Sequence, residues 1–244
     1  GYGRGGRQRI ETDKVSFLAG MRAGITTGAP LVMQIPNKDS RLDDLERTPP
    51  VHRPRPGHAD LAGSLKWLSD DCRNTLERAS ARETAARTAA GAAARCLLHE
   101  FGIEVFGFVR SVHTASTEVA IEHARLDELR RMRDESEVYT PDVDVTKSMM
   151  ECIRAAKIDK DTVGGLCEVH VFGCPIGLGS CVTAAGRLDA RIASAVMSIQ
   201  AFKSVEIGMG REVAARRGSE VHDPIEYDEA SRETPLLGFK RARN

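Results

Sequence analysis

Net charge is missing from this 244-residue sequence: Lys plus Arg and Asp plus Glu number 35 each. No global field therefore draws the chain to nucleic acid or to an anionic membrane surface. Aromatic residues are scarce at 5%, with one Trp, three Tyr and seven Phe, too few for a platform on which bases stack. Apolar runs are short, none near the ~20 residues that span a bilayer, and no secretory leader is recognisable. These absences argue against nucleic acid and membrane as partners and favour a cytoplasmic protein. Lysine is also rare, since the 35 basic residues divide into 27 Arg and 8 Lys. Arginine presents a planar fork of donors that matches carboxylate and phosphate, so an anionic small molecule enters as a candidate ligand, beside a plain coding bias.

What is present is ordinary for a globular chain: 41% hydrophobic and 29% charged residues, enough for a sizeable core. The six cysteines, Cys72, Cys96, Cys152, Cys167, Cys174 and Cys181, are expected as reduced thiols, because a core of this size needs no staples. Cys167, His170 and Cys174 invite a metal reading. Val163 to Phe172 reads as a strand, however, where residues three apart point to opposite faces, so no metal is expected. The sequence begins at Gly1 inside a Gly/Arg segment and stops at Asn244 without a helix stop, so both ends read as cut.

Short β-type runs lie at Val15 to Leu18 and Pro30 to Ile35. Asn37 to Pro56, with Pro49, Pro50, Pro54 and Pro56, reads as an irregular loop. Ser80 with Glu83 makes an S-x-x-E capping box for a helix that runs to about Phe101, with Gly102 just beyond. That helix is alanine-rich, and its Ala85, Ala89 and Ala93 face is expected to be buried. Ile103 to Val112 and Thr162 to Phe172 read as strands. Thr117 to Asp134, Thr146 to Ala156 and Asp189 to Phe202 read as helices, the last amphipathic over Leu188, Ile192, Ala195, Val196 and Ile199. Val205 to Gly208 and Val221 to Tyr227 read as short strands. Mixed helices and strands without strict alternation predict an α+β fold in one domain, 1–244.

Three segments concentrate charge beyond what packing requires. GYGRGGR carries Arg4 and Arg7 on a backbone that exposes its N–H groups; such loops also bind RNA, a reading the missing positive charge disfavours. RPRPGHAD sets Arg53, Arg55 and His58 on a proline-stiffened loop, and a histidine there can relay a proton near neutral pH. ERASARE puts Arg78 ahead of a helix start and Arg82 in its first turn, where free N–H groups and the helix dipole already favour an anion. By themselves these residues support binding of a phosphorylated or carboxylated small molecule, and no particular reaction.

Taken together, GYGRGGRQRIETDKV, TTGAPL, RPGHADL, ERASARETAARTAAGAAA, DTVGGLCEVHVFGCPIGLGS, LDARIASAVMSIQAFKSVEIG and GSEVHD resemble, in order, the motifs of the chorismate synthase family. The resemblance covers Gly1 to about Asp223. It implies a lyase of the shikimate pathway that converts 5-enolpyruvylshikimate 3-phosphate to chorismate by 1,4-elimination. Reduced FMN would be required, with NADPH as a possible flavin reductant. It further implies helices sandwiched between antiparallel sheets and assembly as a homotetramer.

Carried over by motif, His58 is the histidine beside the flavin. Arg4, Arg7, Arg55 and Arg82 fall where relatives hold the substrate's anionic groups, and Arg4 also matches a position assigned to NADP. Arg78, Ala79 and Ser80 match one flavin-binding stretch. Gln200 and Ala201 match a second, which the resemblance implies is contributed across a subunit boundary. The family pattern also places a second histidine in a segment ahead of Gly1, and a Gly-rich stretch with an acid and an arginine after Asn244. Ser204 stands where the family would have glycine. The alternative reading is a catalytically incomplete flavin- or phosphate-binding fragment of that enzyme.

Overall fold

In a computed structural model of the chain, the described residues are 2–3, 13–38, 44–80, 82–229 and 239–241. The backbone groups into two compact units, 1–178 and 179–244. The first unit opens with two small antiparallel ribbons. Strand β1 (Ser16–Ala19) pairs with β4 (Val32–Gln34), and between them β2 (Met21–Arg22) turns directly into β3 (Ile25–Thr26). Ala23 and Gly24 form the turn at φ 51° and 79°, the two positive values that a two-residue hairpin of matching twist demands.

Three helices follow: α1 (Asp60–Trp67), α2 (Arg73–Arg78) and α3 (Glu83–Glu100). The first two were not anticipated, because residues 60–78 mix Gly63, Ser64, Asp70, Asp71 and Asn74, all weak helix formers. Tertiary contact supplies what propensity does not. Gly63 is buried, and any side chain there would run into Thr75 of α2. The Ser64 hydroxyl reaches the buried Cys72 thiol at 3.2 Å.

The capping box expected at Ser80 does not form. Ser80 Oγ accepts from the Arg82 amide at 3.2 Å, and the helix begins three residues later at Glu83. A serine that bonds its own neighbouring backbone competes with the helix it could cap. At the other end Gly102 follows the helix at φ 70°, as expected for the residue past a C-cap. Ala85, Ala89 and Ala93 are half-buried rather than buried, and α3 has no fully buried residue.

The core gathers on strand β5 (Glu104–Val112), which lies between β6 (Ala115–Ser116) and β7 (Gly165–Phe172) in an antiparallel sheet. Phe106 and Phe108, two apart, share a face and pack on Leu126 and Leu129 of α4 (Leu126–Glu135). Val119, Ile121 and Phe172 close the cluster. Helix α5 (Val143–Ile158) adds the fully buried Met149.

The helix predicted over Thr117 to Asp134 is therefore helical only in its second half. Thr117, Val119 and Ile121 alternate inward with exposed Glu118, Ala120 and Glu122, a period of two that belongs to extended chain. Helix α5, conversely, is longer than the predicted Thr146 to Ala156, because Asp142 caps it by accepting from the amides of Asp144 and Val145 at 3.1 and 3.2 Å. Cys167 and His170 sit opposite Val109 and Phe106 in the register and so on opposite faces of the sheet.

The second unit carries α6 (Leu188–Met197), α7 (Gly218–Val221), β8 (Ile225–Tyr227) and β9 (Phe239–Arg241), with β8 and β9 antiparallel. Helix α6 ends five residues short of the predicted Phe202. Val205 to Gly208 is not a strand, and the strand expected over Val221 to Tyr227 shrinks to β8 because Gly218–Val221 turns helical. Every strand pair among the described residues is antiparallel, and helices intervene between them, which is the α+β class. No helix among the described residues is long and apolar enough to cross a membrane.

Candidate functional site

The proline-bearing loop is held at its start by bonds to the turn before α2. Val51 N–H donates to the Asp71 carboxylate at 2.8 Å, Cys72 N–H to the Val51 carbonyl at 2.8 Å, and the Arg73 guanidinium to the Pro49 carbonyl at 2.8 and 2.9 Å. At its end Asp60, wholly buried, accepts three bonds from Arg55: the backbone N–H at 3.1 Å, Nε at 2.8 Å and Nη2 at 3.0 Å. His58 lies exposed between the two partners.

The Arg55 side-chain bond pulls the Asp60 carboxyl down to about 2 against burial, which acts the other way. The same bond, from Asp60, raises Arg55. A depressed carboxyl stabilises the fold above its ordinary value of 3.8, and that contribution disappears as pH falls through about 2. Near neutral pH the pair is fully ionised.

Arg78 ends α2 with its side chain exposed and its Nη1 3.2 Å from Glu83. Ala79 and Ser80 follow as half-buried turn residues. Arg82 is the N-cap residue of α3 instead of lying inside the first turn. Its guanidinium donates to Asp13 at 2.5 Å and to the Pro36 carbonyl at 3.0 Å. Beside it opens a cavity of about 430 Å³ lined by Leu31, Val32, Met33 and Ile35 with Asn37, Arg82 and the α3 alanines Ala85, Ala86 and Ala89. That size falls in the range of roughly 300–1,000 Å³ typical of small-molecule pockets, and an apolar wall facing one arginine suits a flat ring bearing negative charge.

Arg55, His58 and Arg78 do not line this cavity. Arg55, Arg78 and Arg82 instead have separate carboxylate partners in Asp60, Glu83 and Asp13. Arg4 and Arg7 lie outside the described residues. Gln200 and Ala201 belong to the second unit, just past α6, where Gln200 is half-buried and Ala201 adopts φ 72°.

The family model for chorismate synthase matches residues 1–239. The chain belongs to the chorismate synthase family. A chorismate synthase of Desulforamulus reducens is 48% identical over 253 residues, covering 100% of this chain and 64% of that protein. One from Desulforudis audaxviator is 51% identical over 236 residues, covering 92% of this chain and 60% of the relative. A solved crystal structure of chorismate synthase superimposes with a TM-score of 0.76 at 36% identity, over 93% of this chain and 63% of that one. The chain thus spans a little under two thirds of the length of these chorismate synthases.

Asp60 and Asp13 are the carboxylate partners of Arg55 and Arg82 that sequence reasoning passed over. Asp60 was visible as the final residue of RPGHAD, an acid five positions from Arg55. Asp13 carries no comparable signal, since it meets Arg82 from 69 residues away.

Proposed function

We propose that this chain is a part of a chorismate synthase that holds several of its anion-binding arginines. The reaction takes 5-enolpyruvylshikimate 3-phosphate to chorismate and inorganic phosphate. A C–O bond to phosphate and a C–H bond break in a 1,4 relationship, a new C=C bond forms, and no net oxidation occurs. The observation that carries this reading is the family match over residues 1–239. Two supporting features are the excess of Arg over Lys and the apolar cavity with Arg82 at its edge.

In this reading Arg4, Arg7, Arg55 and Arg82 hold the substrate's two planar carboxylates and its tetrahedral phosphate, each offering a pair of oxygens that a guanidinium fork fits. Arg78, Ala79 and Ser80, with Gln200 and Ala201, hold the flavin; a guanidinium, a hydroxyl and an amide are suitable donors for its phosphate and ring carbonyls. Reduced FMN held by these residues would supply electron density to the elimination without net redox change. His58, exposed on its loop, holds or passes a proton at the flavin, a role an imidazole can serve. NADPH, with Arg4 as a contact, is the proposed source of reducing equivalents for the flavin, and the assembly is a homotetramer.

The test is anaerobic incubation of the intact protein with chemically reduced FMN and 5-enolpyruvylshikimate 3-phosphate. Chorismate is followed by its absorbance and phosphate by a colorimetric assay. Chorismate and phosphate are expected in equal amounts, with the flavin still reduced at the end. A folded, flavin-binding protein that releases neither product overturns the reading.

A further inference from the structure

We propose that Asp60 is a positioning residue: it grips the Arg55 guanidinium by one edge and thereby presents the opposite edge as a ready two-pronged donor for an oxyanion of the substrate. The proposal rests on the reading above that Arg55 contacts substrate.

A guanidinium has two edges that can each meet a carboxylate or phosphate bidentately. Asp60 takes the Nε and Nη2 edge, with Oδ2 and Oδ1 at 2.8 and 3.0 Å. The other edge, built from Nη1 and the second N–H of Nη2, has no bond among the described contacts, and the Arg55 side chain remains 42% exposed. One side of the group is thus fixed from beneath and the other faces outward.

A simple need for stability does not account for the pair. Taking a carboxylate wholly out of water is costly, and an apolar residue of similar volume often serves a fold at least as well. The loop's start is already fastened by the bonds of Pro49, Val51 and Arg73 to the turn before α2 and within it. What Asp60 adds is direction. Pairing lowers the net charge at Arg55 but leaves its outward donors, with their rotamer already chosen, so less freedom is lost when an anion arrives. The backbone bond from Arg55 N–H to the same carboxylate closes a short loop around His58, with Gly57 at φ 72°, so one buried acid sets both the arginine and the histidine-bearing turn. Because the Asp60 carboxyl is held near 2, the clamp stays ionised throughout the range in which the enzyme would work.

The experiment uses the intact protein and three variants, Arg55→Ala, Asp60→Asn and the double, with steady-state kinetics on 5-enolpyruvylshikimate 3-phosphate and FMN binding measured in parallel. Losing a charged bond to an anion corresponds to a change of about ten- to hundredfold, and KM is expected to rise by about that factor in Arg55→Ala. Asp60→Asn is expected to raise KM by a comparable factor with kcat and FMN affinity little changed, and the double variant to be no worse than Arg55→Ala alone. A parent-like KM in Asp60→Asn, or single effects that multiply in the double, overturns the proposal while leaving the substrate role of Arg55 standing. A silent Arg55→Ala overturns that substrate role and the proposal with it. If Asp60→Asn does not fold, Arg55→Lys decides: an ammonium keeps the ion pair with Asp60 but has no second edge, so a folded protein with raised KM is expected. A parent-like KM in Arg55→Lys overturns the proposal.

Discussion

Arg82 and Arg87 stand five residues apart on the same stretch, yet the structure gives them different company. Arg82 caps α3 from outside, borders the cavity and is largely buried between Asp13 and the Pro36 carbonyl. Arg87 lies within α3, is exposed, and reaches Glu83 at 3.8 Å. If the cavity receives an anionic ring, the positive end of the helix dipole and the Arg82 charge act on it together, whereas Arg87 is beyond the first turn, where the dipole fades. In the intact protein, Arg82→Ala is expected to weaken substrate affinity about ten- to hundredfold, Arg82→Lys to restore part of it, and Arg87→Ala to change it by less than about twofold. Titration at fixed ionic strength measures all three, and equal effects at the two positions would reduce the cluster to surface charge. The place of Arg82 at a helix start was legible because an arginine there is a local signal. Its partner Asp13 was not, since nothing near position 13 points to residue 82.

At the scale of elements, the two long strands of the core sheet read better than helix boundaries. β5 and β7 were legible within three residues because Val and Phe dominate the first run, Val169, Val171 and Phe172 close the second, and Gly173 ends it. The start of α5 was read three residues late, at Thr146, since the charged, β-branched stretch Val143 to Val145 is poor helix sequence. Its start depends on Asp142, which accepts from two amides of the first turn and also from the buried Thr117 hydroxyl at 2.5 Å. One carboxylate thus fastens a helix to the segment leading into α4, a contact that propensity cannot reveal. Removing it costs both the cap, typically about 1 kcal/mol, and the partner of a buried hydroxyl, about 1–3 kcal/mol. Asp142→Ala is expected to lower unfolding free energy by about 2–4 kcal/mol, and Asp142→Asn, which can still cap and accept, by less than half of that. Chemical denaturation of the two variants beside the parent tests this. A loss below about 0.5 kcal/mol would show that Asp142 is not what sets the helix start.

Over the whole molecule, the apolar surface is unevenly covered. On the sheet, Phe106, Phe108 and Phe172 face the core with Leu126 and Leu129 behind them. The opposite face carries Val105, Val109, Val169 and Val171, and there Val169 and Val171 are 61% and 48% exposed. Alanine-rich α3 likewise ends in exposed Leu97 and Phe101, and α1 exposes Leu61, Leu65 and Trp67. Patterning explains why this was not foreseen: a sequence records which residues are apolar, but not which of two apolar faces a neighbour covers. Exposed valines two apart on one strand face, beside the half-buried Val105 and Val109, are the kind of surface that binds hydrophobic dyes and drives association. Residues 1–244, purified alone, are therefore expected to bind such a dye and to elute as more than a monomer at micromolar concentration. Val169→Thr with Val171→Thr keeps the β-branched shape the strand prefers while adding hydroxyls. The pair is expected to lower dye binding and self-association together with little change in circular dichroism. Unchanged dye binding in that double variant would move the sticky surface away from the sheet, to the exposed side chains of α1 or α3.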